Sequence, residues 1–145
     1  MRILLALLFL LFIAGCASNT FTVTLFRTSE VSGITERYAV DQNAFGTKTV
    51  TLGSDSNAVS KRTTYSIDRQ LTQSVHGLVT DSLSTFLAIK MSDTGEVTTG
   101  LQIDAGNNHE KITWADVDPP KLGTPVLDRL YHIMLHVEAD MISPQ

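Results

Sequence analysis

Cysteine is nearly absent from this 145-residue chain: Cys16 is the only one. A lone cysteine closes no internal disulfide and builds no thiolate metal set. Long apolar runs are missing too. The stretch Ile3–Ile13 is eleven residues, about 16 Å as a helix, roughly half of a bilayer's hydrocarbon core, so it does not make a permanent span. Basic residues are few, with 11 Lys and Arg against 15 Asp and Glu for a net charge of −4, and they cluster only at Lys61-Arg62. Nucleic acid and anionic lipid surfaces are held by phosphate neutralisation, so both are disfavoured as partners. There is no Gly-rich phosphate cradle and no G-x-S-x-G elbow, which removes the usual signs of nucleotide binding and serine hydrolysis. Internal repeats and low-complexity segments are also lacking.

Arg2 precedes the uncharged Ile3–Ile13 run, and small residues follow it. A basic start, a short apolar stretch and a small-residue cut site make up a secretory signal. Its end, Ile13-Ala14-Gly15-Cys16, resembles the lipobox of bacterial lipoproteins: aliphatic, small, Gly or Ala, then Cys. The resemblance implies cleavage between Gly15 and Cys16, removal of Met1–Gly15, and diacylglycerol thioether-linked to Cys16 as the new N-terminus. Two acyl chains anchor stably where one is marginal. Ala17, in place of the Asp that retains lipoproteins in the inner membrane, favours the periplasmic face of the outer membrane if the host has two membranes. The mature chain, 130 residues, suits one domain and carries a net charge of about −5. Residues 16–20 are the acylated Cys and a short tether whose four residues Ala17–Thr20 reach roughly 14 Å, which keeps the domain at 21–140 close to the bilayer and leaves 141–145 as a tail.

From Phe21 the chain reads mainly as strands. Phe21, Val23 and Leu25 alternate with Thr22 and Thr24, the pattern of a half-buried strand. Ser32-Gly33 is a turn, and Ile34, Tyr38 and Val40 share a parity that Glu36 interrupts. Val50 and Leu52 predict a third strand, and Val59–Ile67 a fourth with Tyr65 and Ile67 inward. Leu71, Val75, Leu78, Val79 and Leu83 fall at helical spacing behind Asp68, a capping residue, which predicts a helix over Arg69–Leu83. Gly77 inside it suggests a close packing contact. Phe86–Met91 and Glu96–Ile103 flank the turn formers Ser92-Asp93-Thr94-Gly95, a hairpin signal, and Asp104–Asn108 leads into a strand at His109–Trp114. Tyr131, Ile133, Leu135 and Val137 alternate strictly and predict a strand. Thr124-Pro125 followed by Val126, Leu130, Ile133, Val137 and Met141 also fits a helix; the alternation is the stronger signal. The expectation is an α+β fold, a largely antiparallel sheet with one amphipathic helix packed on one face.

Chemistry-bearing groupings are thin. His132, His136 and Glu138 would share one side of a strand, but the two histidines would then stand about 13 Å apart, too far for one ion; on a helix their i, i+4 spacing would suit zinc. Asp104, Asn108 and Glu110 alternate around Gly106 without the calcium-loop pattern and read as a hairpin turn. Asp116 and Asp118 read as a solvated loop rim. No catalytic residues, metal or cofactor are expected, and the chain reads as a non-enzymatic binding or structural module; the alternative of a metal-dependent enzyme would need His109, His132 and His136 to converge on one ion. Trp114, beside the proline-stiffened Asp116–Leu122 loop, is the expected partner contact, together with Asp116 and Asp118, because Trp is enriched at binding hot spots; its alternative is a core position at a strand end.

The run Ser32–Asp41 contains Gly33-Ile34, Arg37, Tyr38 and Asp41 and follows a strand bearing Arg27. With the alternating Asp128–Val137 segment, it is similar to emfourin-like inhibitors of thermolysin-like metalloproteases. That likeness implies an alternative function, inhibition of an envelope or secreted hydrolase, without assigning inhibitory residues.

Overall fold

The computed structural model describes residues 20–53, 56–89, 97–115 and 124–142. The lipobox with Cys16, the turn Ser92–Gly95, Asp116 and Asp118 lie outside these residues.

Among the described residues six strands and two helices follow in the order β1 (Phe21–Ser29), β2 (Ile34–Asp41), β3 (Phe45–Leu52), β4 (Val59–Ser66), α1 (Arg69–Ala88), β5 (Val97–Ala105), β6 (Asn108–Ala115) and α2 (Pro125–Ile142). The strands form one antiparallel sheet, ordered β4-β3-β2-β1-β5-β6. The fold is α+β, with β1 central because β5 returns to pair along its free side. Tight turns set the registers. Gly33 adopts φ +63° between β1 and β2, a region that a Cβ disfavours. Between β2 and β3 the Asp41 carboxylate accepts from the Asn43 and Phe45 amides at 2.9 and 3.0 Å, the local bonding that makes Asp a turn residue.

Alternation along each strand sends one set of side chains to a single core. Val23, Leu25, Tyr38, Val40, Leu101, Ile103, Ile112 and Trp114 are buried there under both helices. Glu36, which breaks the apolar parity of β2, stands opposite Arg27. Gly46 leaves room on β3 for Ile67 and Met141, whose side chains occupy the space its Cβ would need.

Helix α1 starts where expected. Asp68 caps it, accepting from Gln70 N at 2.6 Å and Leu71 N at 3.3 Å. It runs further than the sequence suggests, through Phe86 to Ala88. Thr72, Val75, Val79 and Phe86 form its buried stripe, so Phe86 continues a helical period and Phe86–Ala88, expected to open a strand that runs to Met91, is helical; Met91 lies outside the described residues. Gly77 contacts nothing within 4 Å of an added Cβ, contrary to the close packing expected of it.

The larger correction is α2. The segment after Pro125 is an 18-residue helix, not a strand, and a second helix joins α1 on the same face. Leu127, Leu130, Tyr131, Met134, Val137 and Met141 are its buried positions, spaced by three and four over the whole segment. The alternation at Tyr131, Ile133, Leu135 and Val137 arises because the apolar stripe is wide and half-buries Ile133 and Leu135 at its margins. Met141 is 3% exposed, so the core extends into what reads as a tail.

Candidate functional site

Trp114 is not a surface residue. It is 1% exposed and its ring meets Tyr131 edge-on, centroids 5.5 Å apart. The even-numbered residues of β6 point under the helices, which turns the indole into the core and away from any partner. This corrects its assignment as a contact.

His132 and His136 are exposed on α2, one turn apart, but Glu138 is engaged elsewhere, and among the described residues no three His, Cys, Asp or Glu side chains gather around a point suited to a metal ion. Asp104 and Glu110 face opposite sides of the sheet, since Asp104 pairs with His109 and Ile103 with Glu110. His109 Nδ1 lies 2.7 Å from Asp104 Oδ1, and the Asn108 amide donates to the Ala105 carbonyl at 3.3 Å. The hairpin reading of that stretch holds.

Glu138 closes a bidentate ion pair with Arg27, Nη1–Oε1 2.5 Å and Nη2–Oε2 2.8 Å, with both side chains largely buried. The bond to Glu138 raises the Arg27 pKa against the effect of burial. Tyr38 lies nearby, its hydroxyl pushed up to about 12 by burial and then by the Glu36 and Glu138 carboxylates. In the same cross-strand row as Arg27, Thr99 Oγ1 and Trp114 Nε1 are buried without a hydrogen-bond partner among the described residues. This cluster ties α2 to β1; its groups are spent on one another or enclosed in the core.

The opposite face of the sheet is different. Among the described residues no helix covers it. One cross-strand row runs Arg62, Thr49, Arg37, Phe26, Gly100, Thr113. The row beside it contains Thr64, Thr47, Ala39, Thr24, Gln102 and Lys111, and a third carries Ser60, Thr51, Thr35, Thr28 and Thr98. At the centre Phe26 is buried although it belongs to this face, because it lies over Gly100, where its ring occupies the space of the missing Cβ. The Lys111 ammonium sits 4.8 Å from its centroid, a cation–π contact. A depression of about 230 Å³ opens between Thr24, Arg37, Thr47, Thr49, Arg62 and Gln102.

Folding also assembles a basic wing that is invisible along the chain. The register brings Arg37 and Arg62 to the two sides of Thr49 on the open face. It places Lys48 and Lys61 near one another on the other face, where Lys48 Nζ stands 5.3 Å from the Tyr38 centroid. Neither ion pair among the described residues uses any of these four cations. Period-two parity in β3 and β4 was the available signal; only the pairing of β2 with β3 reveals that Arg37 belongs to the group. No protein-family model matches the chain, and no curated protein matches it.

Proposed function

We propose that this chain is a lipid-anchored protein of the bacterial cell envelope that acts without chemistry of its own, by binding another protein close to the membrane. The observation that carries the binding half is the sheet face that no described helix covers, where threonines flank Phe26 and its overlying Lys111, with Arg37 and Arg62 beside them. Threonine hydroxyls offer hydrogen bonds at low conformational cost, and the exposed Arg37 and Arg62 are the kind of side chain in which binding surfaces concentrate their energy, while Phe26, buried beneath Lys111, stiffens the floor between them. The anchoring half rests on the Ile13–Cys16 motif and the short tether. By this reading the face is held within a few tens of ångströms of the lipid, so the partner is a membrane protein or another anchored one.

Two measurements test it. The intact mass of protein purified from host membranes should equal that of Cys16–Gln145 plus its acyl groups; an unmodified chain starting at Met1 contradicts the anchor. Immobilised full-length protein should retain a stoichiometric envelope protein that the variant with Arg37→Glu and Thr47→Glu does not retain. Equal retention by both contradicts the surface.

A further inference from the structure

Strand β4 forms one edge of the sheet, and seven of its eight residues are exposed, with Tyr65 half-buried. On one side it pairs with β3; among the described residues nothing pairs with its other side. Alternate residues of such an edge direct unpaired N–H and C=O groups outward, a ready template for a further strand. The edge is also charged in one sense. β3 and β4 together hold Lys48, Lys61 and Arg62 and no carboxylate, in a chain whose overall net charge is −4.

Resting on the protein-binding reading above, we infer that β4 receives an extended acidic segment of the partner protein, which adds to the sheet as a seventh strand. The geometry constrains the segment. Lys61 and Arg62 are neighbours in sequence, so they point to opposite faces. The residues opposite them in an added strand are also consecutive and divide in the same way. The segment therefore carries two adjacent acidic residues among β-forming neighbours, one reaching Arg62 on the open face and the other Lys61 on the helix side. Lys48 and Arg37 reinforce these two positions from further in.

The same geometry argues against other occupants. A lipid surface lying along the edge meets both cations but supplies no strand to pair with the open N–H and C=O groups of β4. A second copy of β4 would bring two lysines and two arginines to one seam with no carboxylate to neutralise them, a repulsive arrangement.

The test uses the full chain in detergent and a capped peptide, Thr-Val-Thr-Glu-Glu-Thr-Val-Thr. The expected result is slowed amide exchange over Val59–Ser66, with affinity at least about tenfold above that of the Lys-Lys analogue. The variant carrying Lys61→Glu and Arg62→Glu should invert this preference and favour the Lys-Lys peptide, a gain that a misfolded variant would not show. N-methylation of one alternate set of peptide amides should abolish binding while the other set is tolerated, since only one set faces β4. Tolerance of both sets would overturn strand addition in favour of a charge contact alone. No binding, an unchanged preference in the variant, retention on phosphatidylglycerol vesicles in place of the peptide, or a concentration-dependent dimer lost on charge reversal would each overturn it too. If an envelope partner is captured equally well by the charge-reversed protein, the protein-binding reading stands and this mode of binding falls.

Discussion

Tyr38 stands opposite Leu25 in the pairing of β1 with β2, its ring in the core and the charges of Glu36 and Glu138 close to its hydroxyl. Burial and the two carboxylates all disfavour tyrosinate, so the folded pKa rises from 10.0 to about 12. A group whose folded pKa is raised contributes stability below its unfolded pKa and loses it as pH climbs through the folded one. Stability should therefore fall between pH 10 and about 12, and Tyr38→Phe should flatten that fall; denaturation across this range, with tyrosinate absorbance to follow ionisation, checks it. Gly100 makes a second residue-scale prediction. A Cβ there would strike the Phe26 ring and lie 2.6 Å from the Ile112 carbonyl oxygen, and backbone does not yield as a flexible side-chain end does. Gly100→Ala should cost about 1–3 kcal/mol, measured by urea unfolding. Single residues were the least legible scale in the sequence. Trp114 and Phe26 are both large aromatics on strands; one parity step decides that the indole enters the core while the phenyl ring lies over a glycine on the open face.

Among elements, the strands were legible because threonine alternates with apolar residues, a period that β1 displays plainly. α1 was legible from its cap and stripe. α2 reads as a strand because its apolar face is wide enough to create a false period of two, and the tie-breaker, the apolar position at Met141 a full turn beyond Val137, lies at the far end. Gly77 gives an element-scale prediction: with open space around it, Gly77→Ala should raise stability by up to about 1 kcal/mol, seen as a higher unfolding midpoint. The Arg27–Glu138 pair gives another. Glu138→Leu leaves a guanidinium largely enclosed and should cost about 3 kcal/mol, whereas the double replacement Arg27→Met with Glu138→Leu should cost less than either Glu138→Leu or Arg27→Met alone, since a well-packed apolar pair removes the uncompensated charge. Unfolding of the three variants beside wild type completes that cycle.

At the scale of the molecule, the fold is asymmetric: both described helices lie on one side of the sheet, and the other side and the β4 edge carry threonine, aromatic and cationic groups, with the carboxylates Asp41 and Asp104 in one outer row. The class of fold could be read from the chain, but not this surface. Arg37, Lys48, Lys61 and Arg62 span 26 positions and meet only through the β2–β3–β4 pairing, so the sequence shows one basic doublet where the structure has a wing. The central claim is that this helix-free side meets a protein in the envelope. It is tested most directly by placing a photo-crosslinking residue at Thr47 on the open face, and separately at Gln73 on the exposed side of α1, in the full chain expressed in its host. The account predicts a single discrete protein adduct from position 47 and none from position 73. Adducts from the helix position alone, or none from the sheet, would contradict it.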